Sequence, residues 1–493
     1  MKKFLCYAFL LCCVFLLFAC SGNFDYKQNL TTYNLDVEYN DDEKSLSGSE
    51  IISYVNSSKN VLKNVKFHLY PNAFRENAKA SVVSKSNETK AYPNGKSYGN
   101  ISVDNVKVEN ENSNFEICGE DENILNVSLG DDLYPNDKVQ ISLNFYVKLP
   151  NINHRFGYGN NAVNVCNFYP IACVYENDDF VTKLYNSNGD PFYSEVANYN
   201  VNIKYPSDFI IATSGTKVNE TKENESNKVS VQAKCVRDFA IVLSNKFETK
   251  SSTYNKKISI NYFYYTDPTP EKTMDLINEV LRFFEEKVGE YPYSQISVAE
   301  TNFVHGGMEY PNLVLISDSL DSYDTYQMVI IHELLHQWWY GVVGNNEFNE
   351  GWIDEGLTEF CTIYFYEKHP EFNKTMDRMV KASTNSYTTF MKVYKDVLGS
   401  VDTSINRPLD AFKTETEYVY NTYVKGMLMF ASIYNVVGEK KFVNALKYYY
   451  NSNAYEIVNE QILINCFSKG TGRDLENLFR SWLDGKVVIV GMW

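Results

Sequence analysis

The sequence predicts a multidomain α+β protein, with an all-β, saddle- or sandwich-like N-terminal domain followed by a mostly helical one. Three observations carry this. Between about residues 30 and 250, short stretches alternate apolar and polar side chains with a period of two, and no long helical pattern interrupts them. Near residue 268 the apolar spacing becomes that of a helix. The chain has 493 residues, 44% of them hydrophobic, which is enough for two or three domains.

The first twenty residues read as a targeting segment. Lys2 and Lys3 precede an apolar run from Phe4 to Ala19, which is short for a membrane span of about twenty residues. Leu17-Phe18-Ala19-Cys20 resembles a bacterial lipobox. That resemblance implies acylation of Cys20, which becomes the mature N-terminus and holds the protein on the extracytoplasmic face of the cell membrane by lipid. A plain secretory signal or an uncleaved anchor is the alternative. Residues 21–30 are then a polar tether. Six cysteines remain (Cys118, Cys166, Cys173, Cys235, Cys361 and Cys466), read mostly as buried thiols, with Cys166–Cys173 a candidate disulfide.

Domain limits are drawn at 21–252 and 253–493. Tyr33–Tyr39, Val139–Val147 and Tyr199–Tyr205 are typical strands of the first, and residues 86–100 and 218–228 read as exposed loops. In the second, Pro270 sits where a helix start tolerates it. Met274, Ile277, Val280, Leu281, Phe284 and Val288 then recur at helical spacing until Gly289. Gln295–Phe303 returns to strand alternation. His305-Gly306-Gly307-Met308-Glu309-Tyr310 follows, its paired glycines allowing backbone to approach a ligand closely.

The chemistry concentrates at His332-Glu333-Leu334-Leu335-His336, within a helix expected over residues 326–340. Positions four apart share a helix face, so the two imidazoles point the same way and suit Zn²⁺. Zinc needs a third protein ligand and an open position. Glu355, nineteen residues after His336 and on a second helix expected over 354–368, is the natural candidate. Glu333 is placed to act as general base toward water. With six histidines in the chain, this spacing rarely arises by chance. The net charge of −16 argues against nucleic acid as a partner.

These motifs resemble the zinc metallo-aminopeptidases of the aminopeptidase N and leukotriene hydrolase type. His332–Trp339 and Trp352–Gly356 resemble the family's zinc site. Gly306–Tyr310 stands where the family carries Gly-x-Met-Glu-Asn, with Tyr310 replacing the Asn. Tyr423-Val424-Lys425-Gly426 resembles its Tyr-x-Lys-Gly segment. Phe67–Phe74, Gly189–Glu195, Arg237–Ala240 and Gly289–Tyr293 also look similar to bacterial members.

The resemblance implies a thermolysin-like catalytic domain holding one zinc ion on His332, His336 and Glu355, with Glu333 as base and Tyr423 donating to the developing oxyanion. It further implies that Glu309 binds the free α-amino group of a peptide while Gly306, Gly307 and Met308 line the substrate chain. Two departures stand out. The upstream motif that supplies a second amine-binding side chain in many members is not recognisable, and Cys166–Ile171 occupies its region. Residues 426–485 read as four short helices, so no counterpart of the large C-terminal helical domain of longer members is expected, and with it a more open cleft. The expected activity is a zinc aminopeptidase. A zinc endopeptidase, a non-peptide hydrolase or a non-catalytic peptide-binding module are the alternatives.

Overall fold

A computed structural model describes residues 27–487 and Ile489; Cys20 and the rest of the targeting segment lie outside the described residues. The first part is built on an eight-stranded sheet. Its centre is Thr32–Asn40, which pairs antiparallel with Ser45–Val55 and parallel with Ala197–Pro206. The period-two pattern sets the faces: Tyr33, Leu35, Val37 and Tyr39 are buried while the residues between them are exposed. Lys138–Lys148 repeats this with Val139, Ile141, Leu143, Phe145 and Val147. Two four-stranded sheets, one containing Leu62–His68 and Ile124–Leu133 and the other Val163–Val165 and Ile241–Ser244, share one continuous core with it.

Two expected loops are structured. Residues 218–228 belong to a hairpin formed by Thr216–Lys222 and Ser226–Val236. The first of these strands is the outer one of the large sheet, paired on one side and exposed, so its polar residues carry no apolar alternation. Residues 86–100 contain the short helix Glu88–Ala91, whose Ala91 is fully buried.

The chain changes sheets between Ser244 and Glu248, ahead of the boundary drawn at 252–253. Glu248–Tyr254 pairs with Ile258–Tyr264 in a five-stranded sheet, which continues through Gln295–Thr301 and Leu313–Ser317 to the edge strand Gly307–Met308. As a polar edge strand, Glu248–Tyr254 carries no sequence signal of which sheet it joins. The helix Pro270–Lys287 packs its apolar face, including Ile277, Val280, Leu281 and Phe284, on this sheet's domain. Four helices follow Lys425: Gly426–Val437, Glu439–Asn453, Glu460–Thr471 and Glu476–Leu483. A 23-residue helix, Met376–Leu398, was not read from the sequence.

The helix expected over 326–340 spans Tyr323–Leu335, with Ser322 accepting from the Thr325 N–H as its N-cap and His336 as its C-cap. Beyond it the amides of Gly341, Val342 and Val343 reach back five residues, to His336, Gln337 and Trp338. The helix thus widens and stops, and Tyr340 adopts φ 102°. All six cysteines of the described residues are free thiols, so the Cys166–Cys173 disulfide is absent. Among the described residues no helix is long and apolar enough to cross a membrane.

Candidate active site and metal site

His332 and His336 lie one turn apart on the first site helix, and Glu355 opens the second, Glu355–Lys368. Their ligand atoms converge. His332 Nε2 and His336 Nε2 are 3.0 Å apart, and each is 3.1 Å from Glu355 Oε2. Three atoms bonded to a tetrahedral Zn²⁺ at 2.0–2.1 Å lie about 3.3 Å from one another, so this triangle fits the ion. The outer ring nitrogens settle the tautomers. His336 Nδ1 donates to the Trp339 carbonyl at 3.0 Å, and His332 Nδ1 faces Glu359 Oε2 at 3.1 Å. Each inner Nε2 therefore offers a lone pair.

The site's electrostatics ask for a cation. Burial alone would lower the His336 pKa, but the carboxylates of Glu309 and Glu355 outweigh it and push it up to about 10. Burial would raise Glu355, yet His336 and His332 hold it down to about 2. A dication on these three atoms meets that demand.

Glu333 is buried, and its Oε2 has no protein partner. Burial pushes its pKa up to about 7, against the lowering effect of His332 and His336. Gly307 makes room for it: a Cβ there would lie 2.5 Å from Glu333 Oε1. Tyr423 stands on the π-helical turn Tyr420–Lys425, its ring stacked on His332 and its hydroxyl donating to Glu355 Oε1. Of the neighbouring tyrosines, Tyr418 also lines the cavity and packs edge-on against Tyr423. Tyr418 packs on Phe412, and Tyr420 stacks on Phe390.

A cavity of about 420 Å³ opens over these groups, with Gly306, Gly307 and Glu309 along one wall. Gly307–Met308 is an edge strand, paired on one side with Leu313–Ser317. Met308 is buried and is not among the residues that line the cavity, where the resemblance had placed it. Alternation on the strand turns it to the core while Glu309 faces the cleft. Glu309 is buried with Oε1 unpartnered.

Sequence reasoning missed Asp190. Its carboxylate lies within 4.8 Å of those of Glu309 and Glu355, and Arg155 donates to it at 2.5 Å. The signal was present in Gly189–Glu195, which resembles the family yet received no role. Cys166–Ile171, by contrast, backs the wall: the Tyr310 hydroxyl donates to Asn167 Oδ1 at 2.5 Å, and Asn167 in turn donates to Asp238. Its neighbour Arg237 is buried and fixes the loop after His336. It donates from Nε to the Tyr340 carbonyl at 2.8 Å and from Nη2 to Glu456 at 2.8 Å.

At the far end of the wall, His305 Nδ1 stands 3.5 Å from Glu415. Glu415 also accepts from Ser84 Oγ and from Asn87 Nδ2 at 3.0 Å, which joins the 86–100 segment to the cleft mouth.

Two imidazoles and a carboxylate converging beside an unpartnered glutamate form the ligand set of a single-zinc hydrolase site. Residues 272–482 match the Peptidase family M1 domain. Among curated proteins it is 26% identical over 241 residues to leucine aminopeptidase 2 of Candida albicans, a match covering 43% of this chain and 37% of that protein. It is also 26% identical over 232 residues to aminopeptidase N of Streptomyces lividans, covering 43% of this chain and 26% of that protein. The chain thus spans well under half the length of these relatives. The fold is that of the M1 zinc metallopeptidase from Deinococcus radiodurans (TM-score 0.66, 16% identity, 95% of this chain and 96% of that one). A mutant of that protein bound to a Tyr-Ser-Ala substrate superposes over 94% of this chain and 97% of its own, with TM-score 0.65 and 15% identity.

Proposed function

We propose that this protein is a zinc-dependent aminopeptidase that removes N-terminal residues from peptides. One observation carries the exopeptidase reading: the buried Glu309 carboxylate, its Oε1 without a partner, lies beside Asp190 in the cleft that holds the zinc ligands. Buried carboxylates without partners are costly, and a substrate ammonium supplies the missing charge. A blocked N-terminus cannot.

His332, His336 and Glu355 would hold one Zn²⁺, which polarises a substrate carbonyl and lowers the pKa of water toward about 7. Glu359 and the Trp339 carbonyl orient the two imidazoles. Glu333 takes a proton from the attacking water at Oε2 and passes it to the leaving amine. Tyr423 turns its hydroxyl from Glu355 Oε1 toward the oxygen that gains charge. The free edge of Gly307–Met308 pairs with the substrate backbone. The lipobox-like Cys20 supports a location on the extracytoplasmic face of a bacterial membrane, lipid-anchored.

The test is hydrolysis of aminoacyl-aminomethylcoumarins, with free and with acetylated N-termini, by the full-length protein in detergent and by its Glu333→Gln variant. Turnover confined to free N-termini and lost in the variant is expected. Cleavage of acetylated substrates would move the assignment to an endopeptidase.

A further inference from the structure

We infer that the cleft discriminates against peptides whose C-terminal carboxylate lies within two or three residues of the N-terminus, so that its substrates are longer or C-terminally blocked peptides. This rests on the aminopeptidase reading and specifies its substrate class.

The ionisable groups lining the cavity are weighted toward acids. Asp190, Glu309, Glu333, Glu355, Glu359 and Glu415 are all carboxylates, and no lysine lines it. Arg155 is its one guanidinium, and that group is buried and committed to Asp190 at 2.5 Å.

The geometry says where the imbalance is felt. The amine end is marked by Glu309. The wall then runs back through Gly307 and Gly306 to His305, whose ring faces Glu415. A substrate pairing with this edge advances about 3.3 Å per residue. A di- or tripeptide held at Glu309 therefore ends its carboxylate one or two residues further on, toward the His305 and Glu415 end of this wall. Glu415 cannot swing away, because Ser84 and Asn87 bind it from the other domain and its side chain is 19% exposed. Like charges at such separations in a partly desolvated cleft repel strongly. The N-terminal ammonium is welcome there; a second charge of opposite sign is not.

The experiment compares kcat/KM for Ala-Ala, Ala-Ala-Ala and Ala-Ala-Ala-Ala-Ala, each as free acid and as amide, with full-length protein at low and high salt. The amide is expected to exceed the acid by about tenfold for the two short peptides and to match it for the longest, with the gap shrinking at high salt. Glu415→Gln should narrow the gap; if that variant does not fold, the wild-type salt dependence decides. Short acids turned over as fast as their amides would overturn this inference alone. No turnover of any free-amine peptide would overturn the aminopeptidase reading beneath it.

Discussion

Gly356 and Gly426 meet backbone to backbone: a Cβ on Gly356 would lie 3.1 Å from the Gly426 Cα, and one on Gly426 would lie 3.0 Å from the Gly356 Cα. Gly356 follows the ligand Glu355, and Gly426 closes the π-helical turn that carries Tyr423. The contact is what lets the Tyr423 hydroxyl reach Glu355. Gly426→Ala must wedge the two helices apart. It is expected to cost about 1–3 kcal/mol by denaturant unfolding, as overpacking does, and to lower kcat while zinc content stays at one per chain.

Tyr423→Phe isolates the hydroxyl itself. The ring stays stacked on His332, and the oxyanion donor is removed. A loss of about 100- to 1,000-fold in kcat with little change in KM is expected, the effect of one such donor. Steady-state kinetics on a free-amine coumarin substrate checks it; an unchanged kcat would remove Tyr423 from the chemistry.

Glu359 acts on the metal through His332. Its carboxylate accepts from Nδ1 at 3.1 Å and so directs Nε2 to the ion. Glu359→Gln is expected to weaken zinc binding about 10- to 100-fold, in line with losses of comparable outer partners. Competition with a chelator measures this directly, independently of turnover.

His68 makes stability pH-dependent far from the site. It is buried, stacked on Tyr70 at 4.7 Å, with Nε2 unpartnered, and burial lowers its pKa to about 4. The unfolded imidazole titrates near 6.5. Between those values the unfolded chain binds the extra proton, so stability is full above about 6.5 and is lost as pH falls toward 4. The loss amounts to about 3 kcal/mol. His68→Phe should flatten unfolding free energy across this window; an unaltered slope would place the titration elsewhere.

The convergence of His332, His336 and Glu355 was legible because each sits in a short local motif. His332 and His336 are one turn apart, and Glu355 stands in Trp-Ile-Asp-Glu-Gly, so helix geometry and ligand chemistry sufficed. The strands of the first domain were legible for the same reason, since alternation at Tyr33–Tyr39 is a property of neighbours. Other features left no local trace. The hairpin at 216–236 is polar because its outer strand has one partner and faces water. The helix at 323–335 stops early because five-residue-back hydrogen bonds and Arg237, from the other domain, hold the turn at Tyr340. Asp190 could not be assigned because its role depends on Arg155 and Glu309, distant in sequence.

What the sequence by itself determined is the set of groups bound by local geometry: two imidazoles at helical spacing, the base between them, the glycines that clear a path, and the period-two strands. Only the tertiary structure decided which carboxylates share the cleft. Asp190, Glu309, Glu359 and Glu415 reach it from four separate segments, and their joint charge is a sum over space that no window of the chain contains.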